Sequence, residues 1–339
     1  MSTTRKLSAA LASSVVTIGL LAGCSGAESR DADPDNPVKI DITVTHDTEP
    51  FSVPWLVGID QGFFEKRGVE VGQIVPGKGG ASTIQNQLSG DLPIADTSFP
   101  AVVDAKTSGA DLVIVGGAVQ SLAGNDFYAL AQNQAVNSVE DVKVWSFTRE
   151  GSVTQQLTYL LPDAEGIDAD AVQRKAAGGL GEGIALLEGG DVDAAVVPIA
   201  EALKNAQAYK LVVSAKEVIP KFQQTVMTTT PEYAEEHPNV IKAITAGYDE
   251  AVGWTRDNPQ QAAAIWAKHT KEDTAVAEEI VASYLESDYW GVGFNSEAIA
   301  NALKGFELVG KDASEVDLCE LFDPQYLPEG ASTTAAENC

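Results

Sequence analysis

GGASTIQNQLSGDLPIADTSFP (79–100) and GGLGEGIALLEGGDVDAAVVP (178–198) decide the fold of this chain. In each stretch a glycine pair leads into a helix-period pattern, and a Gly-Asp pair ends it (Gly90-Asp91, Gly190-Asp191). A short apolar strand follows, and a proline opens the next helix (Pro100, Pro198). The match lies in spacing and punctuation more than in identity. It describes two α/β units of related topology.

Working outward, Val38 to Thr45 (VKIDITVT) alternates apolar and polar residues and reads as an opening strand. Pro54 to Gly62 reads as a short helix, with Phe63 and Phe64 as core anchors and Gly68 at its end, and Val69 to Val75 is a second strand. Leu112 to Val115 is a buried strand followed by Gly116-Gly117. Around the second stretch, Val142 to Phe147, Ala171 to Ala177 and Leu211 to Val213 read as strands. From Pro231 the chain turns helical, with Val240, Ile241, Ile244, Tyr248, Ala251 and Val252 on one face and Val276, Ile280 and Tyr284 on another. These large residues read as core. The helical region is expected to pack back on the first lobe. That lobe is then discontinuous, 38–126 with 223–318, around a second lobe at 127–222, with 319–339 as a tail.

The N-terminus carries a separate signal. Arg5 and Lys6 precede an apolar run from Leu7 to Leu21, shorter than the ~20 apolar residues of a spanning helix. A cationic start, a short apolar run and small residues before a cut describe an export signal. Leu21-Ala22-Gly23-Cys24 looks like a bacterial lipobox, which implies removal of 1–23, lipidation of Cys24 and a polar tether over 24–37. The alternative is an ordinary signal peptide with an incidental cysteine. Cys319 and Cys339 then remain as an even pair in an oxidising compartment, either bridged across the Pro-containing tail or as two thiols.

The balance of 22 basic against 49 acidic residues, a formal net charge of −27, argues against nucleic acid and against attraction to anionic headgroups. Any contact with a membrane is therefore expected through the lipid alone. Three histidines (His46, His237, His269) show no metal-ligand spacing, and no GxSxG, GxxxxGK[ST] or HExxH pattern is present. The glycines of Gly178 to Gly183 do not fall at GxGxxG spacing, and the carboxylates form no recognisable catalytic pair. The expectation is binding without turnover, with no cofactor and no metal.

In open α/β lobes ligands sit beyond the C-terminal ends of the strands. Four segments qualify. The loop after the first strand carries His46, Phe51 and Trp55 among prolines, a rigid apolar wall, although Trp55 also suits packing between lobes. Gly79-Gly80-Ala81-Ser82-Thr83 opens a helix whose amides and hydroxyls suit an anion. Ser98-Phe99 stands at the next helix start. In the second lobe Thr148, Ser152, Val153 and Thr154 do the same, with Arg149 as a possible anion partner and Pro198 closing the cleft. On this reading Trp55→Ala weakens ligand binding with little loss of fold stability.

Phe51 to Gly68 (FSVPWLVGIDQGFFEKRG), Gly79 to Asp91 (GGASTIQNQLSGD) and Gly189 to Pro198 (GGDVDAAVVP) resemble the solute-binding proteins of sulfonate, taurine and nitrate ABC importers, the group also named for thiamine-pyrimidine synthesis. The resemblance covers roughly Val38 to Gly310. It implies a two-lobe, type II periplasmic-binding fold closing on one small ligand, a monomer that delivers its ligand to ABC permease membrane subunits. Hinges are expected near Phe127 to Leu130 and Phe222 to Met227. Thr97-Ser98-Phe99 and the Trp145 strand depart from the commonest pattern, so ligand identity does not transfer. The aromatics lean toward an organic ligand, anionic on the helix-start argument. A sensor or adhesin module on the same fold is a second reading. A pyrimidine-synthase-like enzyme is a third, disfavoured because no cysteine lies between Cys24 and Cys319.

Overall fold

The computed structural model describes residues 31–90, 92–168, 171–314 and 316–334. The first lobe opens with β1 (Val38–Val44), α1 (Val53–Asp60), β2 (Val69–Pro76), α2 (Gly80–Ser89), β3 (Ile94–Ser98), α3 (Phe99–Thr107) and β4 (Val113–Val119). The second holds β5 (Phe127–Leu130), β6 (Val144–Phe147), α4 (Val153–Ala164), β7 (Gln173–Ala176), α5 (Leu180–Glu188), β8 (Ala195–Val196), α6 (Ile199–Lys204), β9 (Tyr209–Val213) and α7 (Ala215–Val218). The chain then returns through β10 (Thr225–Thr229) to α8 (Pro231–Glu236), α9 (Pro238–Asp257), α10 (Pro259–Thr270), α11 (Thr274–Leu285), α12 (Ser296–Leu308) and α13 (Leu318–Leu321).

The first sheet runs β2-β1-β3-β10-β4, with β10 antiparallel to both neighbours and β1 parallel to β2 and β3. In the second lobe β6 and β7 pair in parallel, while β5 stands antiparallel between β8 and β9. A parallel bridge between Trp145 and Ala194, with the Ser146 N–H donating to the Ala194 carbonyl at 2.8 Å, joins these pieces. The second lobe therefore repeats the strand order of the first, as the matched glycine and proline punctuation implies.

Each antiparallel strand follows a crossing between the lobes, at 120–126 and 219–224. The crossings run side by side. The Gln224 N–H donates to the Val119 carbonyl at 2.8 Å, the Gln224 side chain donates to the Ser121 carbonyl at 2.8 Å, and the Asn125 amide donates to Gln224 Oε1 at 3.0 Å. The expected bending points fall partly on paired strand instead: Phe127 to Leu130 is β5 itself, and Thr225 to Met227 begins β10. Gly116 and Gly117 also lie inside β4 and not after it. At Gly117 a Cβ would meet the Gly291 carbonyl oxygen at 2.8 Å, so the strand needs glycine for this close approach.

The helices α9 and α10 cover α1. The Phe64 ring fills the space between Gly58 of α1 and Gly247 of α9, where a Cβ on either would overlap it. Lys66 and Arg67 pair with Glu250 of α9, Arg67 at 2.7 Å. The FFEKRG run thus locks the turn before β2 onto the helical region. α12 reaches further and packs on α3 and α4.

The tether expected over 24–37 is docked where it is described. The Asp31 carboxylate accepts from the Asn239 and Val240 N–H groups, both at 3.1 Å, and so caps the first turn of α9. A carboxylate there also meets the positive end of the helix dipole, worth ~0.3–1 kcal/mol. Hydrogen bonds fasten the tail: the Asp323 N–H donates to the Ile114 carbonyl at 2.9 Å, the Tyr326 hydroxyl to the Ala234 carbonyl at 3.1 Å, and the Phe294 N–H to the Ser332 carbonyl at 2.7 Å. The signal sequence, Cys24 and Cys339 lie outside the described residues, and with them the lipidation site and one half of the expected disulfide. Among the described residues no helix is long and apolar enough to cross a membrane.

Candidate functional site

The strand ends of both lobes face one cleft. Its inner part spans about 740 Å³ of space, open to solvent, between Glu49 and Phe51 of the first lobe, Thr154 and Pro198 of the second, and Tyr284 and Tyr289 of the helical region. Asn125 and Gln224 from the two crossings form its floor. The outer part, about 1030 Å³, lies between the starts of α2 and α4, with Lys78 and Ser82 facing Arg149 and Gly179. The starts of α2 and α5 each follow a left-handed glycine, Gly79 at φ 121° and Gly178 at φ 103°. Other residues are strained there, which explains the glycine pairs.

Several predicted residues meet here. Gly80, Ser98, Thr148, Ser152, Val153, Thr154 and Pro198 line the inner part, and Ala81 and Ser82 the outer. Their hydroxyls are mostly engaged within the protein, against the expectation of free donors. Thr154 Oγ1 lies 2.8 Å from Thr148 Oγ1 and 2.9 Å from Ser152 Oγ, and Ser152 Oγ caps α4 by accepting the Gln155 N–H at 3.1 Å. Ser82 donates to the Gly79 carbonyl at 2.9 Å and accepts the Lys78 N–H at 2.8 Å. Ser98 Oγ is buried with no hydrogen-bond partner among the described residues. No side chain caps the first turn of α2, so its backbone amides face the cleft. Arg149 donates to the Gly178 carbonyl at 2.7 Å and is thus held at the outer rim.

Three predicted residues do not line the cleft. Trp55 is fully buried, its ring against Phe64 at 5.7 Å and Tyr248 at 5.1 Å, with its indole N–H donating to Asp96 Oδ2 at 2.8 Å. It is core, because α1 turns its apolar face toward α9 and away from the second lobe. Phe99 is fully buried against Phe322 at 5.9 Å. Thr83 is buried and donates to the Gly79 carbonyl at 3.0 Å, bracing the loop from behind.

On the other wall the sequence pattern points to His46 and Phe51 but not to Glu49, Tyr284 or Tyr289. Phe51 stacks between His46 at 6.1 Å and Tyr289 at 6.2 Å, and Tyr289 meets Tyr284 edge-on at 4.4 Å. Tyr284 carries the helical period of a core residue, and that is how it reads in sequence; its ring does sit in the core edge while also bordering the cleft. Glu49, in the loop before Phe51, gives no sequence signal beyond its place after the first strand. Desolvation pushes its carboxyl up to about 7. No described group donates a hydrogen bond to it. Burial also holds the His46 imidazole below its usual range, with Asp47 pulling the other way and Arg149 adding to the depression. The tyrosine hydroxyls at 284 and 289 are held neutral by burial. Among the described residues no cluster of side chains suits a metal ion.

A profile described as NMT1/THI5 like matches residues 49–262, well over half of the chain. The chain belongs to the NMT1/THI5-like family. No curated protein sequence matches it. Among solved structures it is similar to the periplasmic aliphatic sulphonate binding protein SsuA from Escherichia coli, at 20% identity and a TM-score of 0.68 over 87% of this chain and 95% of that one. It is similar to the alkanesulfonate-binding protein SsuA from Xanthomonas axonopodis pv. citri bound to MOPS, at 15% identity and a TM-score of 0.64 over 78% and 90% of the two chains. The nitrate-binding protein NrtA from Synechocystis PCC 6803 matches at 14% identity and a TM-score of 0.57 over 71% and 69%. At these identities the likeness shows the fold. The two-lobe α/β periplasmic-binding architecture expected of this NMT1/THI5-like chain is the one observed.

Proposed function

We propose that this chain is the substrate-binding component of an ABC importer, a lipid-anchored extracytoplasmic monomer that captures a small organic ligand by lobe closure and delivers it to membrane permease subunits. The observation that carries the reading is the cleft itself. Both lobes, both crossings and the helical region contribute to one cavity, so a ligand there couples directly to the angle between lobes. The backbone amides at the starts of α2 and α4, with Arg149 and Lys78 at the rim, suit an anionic group on the outer side of that ligand. Chemistry at the site is capture without turnover, since Glu49 has no catalytic partner positioned beside it. The sulfonate and nitrate named for the similar structures mark the size of ligand such a fold takes.

Native mass spectrometry of the full chain, extracted in detergent, tests the reading. A bound small molecule released on unfolding is the expected result. An empty protein whose melting temperature is unmoved by organic acids, sulfonates, nitrate and organic bases removes it. The same spectrum reads the anchor and the tail: a diacylglyceryl mass absent from Cys24→Ala, and two extra alkylations at Cys319 and Cys339 only after reduction.

A further inference from the structure

The outer half of the cleft offers amides and two cations. The inner half offers the opposite. Among the described residues lining the inner cavity there is no lysine and no arginine, and its one carboxylate, Glu49, faces the space without a protein partner. Around it stand flat apolar surfaces, Phe51 parallel to Tyr289 at an interplanar angle of 5° and Tyr284 edge-on to it. The Asn125 and Gln224 amides are bonded to each other and to the crossings, so they are fixed in place.

We propose that Glu49 is the specificity-determining residue of this site, an acceptor for an N–H-bearing, cation-capable group at the inner end of a flat organic ligand. This rests on the binding reading above and narrows it: the cargo is an organic base, or a zwitterion with its base innermost, and not a bare sulfonate or nitrate. Glu49 is half-buried and lines the cleft; a ligand that takes its carboxylate out of water must replace the lost hydrogen bonds and charge, as an amidinium or ammonium does. An anion placed there would meet like charge and nothing to neutralise it.

The pH response follows. With its carboxyl pushed up to about 7 by desolvation, Glu49 is partly protonated at neutrality in the empty cleft. A cationic ligand binds the ionised form, so its affinity rises about tenfold between pH 6 and 8 and levels off above. Other titratable and charged groups stand around Glu49. Burial lowers the His46 imidazole and raises the Tyr284, Tyr289 and Tyr128 hydroxyls, and Arg149 is held at the outer rim by the Gly178 carbonyl. Asp47 lies 3.5 Å from His269, and Asp126, behind Tyr284, is raised by burial but held toward its charged form by Ser214 and Ala215.

Benzamidine and benzoate, equal in size and opposite in charge, are titrated calorimetrically into the full chain and into Glu49→Gln. Benzamidine is expected to bind at least tenfold more tightly than benzoate. Glu49→Gln should remove that preference and flatten the pH profile, while Glu49→Asp restores part of both. The ligand released from native protein should carry a basic nitrogen by accurate mass. Benzoate binding as well as or better than benzamidine, with Glu49→Gln unchanged, overturns the assignment and leaves capture of an organic ligand standing. A native ligand without basic nitrogen does the same. Failure of both probes, together with an empty native protein, overturns both readings.

Discussion

Phe51 and Trp55 sit within one short stretch of sequence, yet they belong to different layers of the first lobe. Phe51 faces the cleft with Glu49 and Tyr289, and Trp55 faces α9 with Asp96 and Tyr248. Each layer pairs aromatic rings with a carboxyl raised by desolvation, Glu49 to about 7 and Asp96 to about 6. The difference is in the partners. Asp96 Oδ2 receives the Trp55 indole N–H inside the fold and its Oδ1 is sealed in the core, while Glu49 lines the cleft and receives no hydrogen bond from the described residues. A carboxyl sealed among core rings can meet only its neighbours in the fold; one that lines a cavity can be met by a ligand.

The largest effect should come from breaking the inner layer. Trp55→Ala removes a fully buried ring and leaves a void between α1 and α9, together with an Asp96 oxygen deprived of its donor. The expected loss is about 3–5 kcal/mol of unfolding free energy, read from chemical denaturation. Benzamidine affinity of the fraction that remains folded should change little, because the ring does not reach the cleft. A stable Trp55→Ala protein with weakened binding would return Trp55 to the site.

Asp96→Asn comes next, with its sign set by pH. The folded state holds the Asp96 carboxyl above its ordinary value, so it binds more protons than the unfolded chain. That contribution to stability is complete below pH 3.8, the ordinary carboxyl value, and is lost as pH rises through about 6. Asparagine keeps an acceptor for the indole and carries no charge. The variant should therefore melt at a higher temperature than the wild type at pH 8, by an amount worth about 1–3 kcal/mol, and should converge with it near pH 4. A wild-type advantage at pH 8 would mean that the ionised form is stabilised by its neighbours.

The repeat of strand order was legible because glycine, Gly-Asp and proline punctuation depends on local backbone geometry. Gly79 and Gly178 need a left-handed φ whatever surrounds them. The same holds for the FFEKRG run, whose Phe64 and Gly58 constrain each other within one stretch. What could not be read was the direction of a ring. Trp55 and Phe99 sit in the expected segments but point away from the cleft, since α9 and the tail residue Phe322, distant in sequence, cover them. Tyr289 entered the site unannounced for the same reason: its placement depends on the bridge between Val119 and Trp290, a pairing across the whole second lobe. The hydroxyls of Thr148, Ser152 and Thr154 line the cleft but bond one another, an arrangement that depends on a loop turn residue types alone do not fix.

The smallest of these effects sharpens the comparison from the cleft side. Phe51→Ala removes a partly exposed ring whose stacking partners are His46 and Tyr289. Such contacts are worth about 0.5–1.5 kcal/mol, so benzamidine affinity should fall up to about tenfold. The melting temperature of the empty protein should move much less than in Trp55→Ala, since the Ser52 hydroxyl still holds the loop through the Asp47 carbonyl at 2.8 Å and the Trp290 indole through the Pro50 carbonyl at 3.0 Å. Those two bonds position Glu49 independently of the Phe51 ring. Retention of the pH-dependent step in Phe51→Ala, at reduced affinity, would separate the stacking surface from the acceptor. Loss of that step would instead show that the ring, by excluding water, is what raises the Glu49 carboxyl.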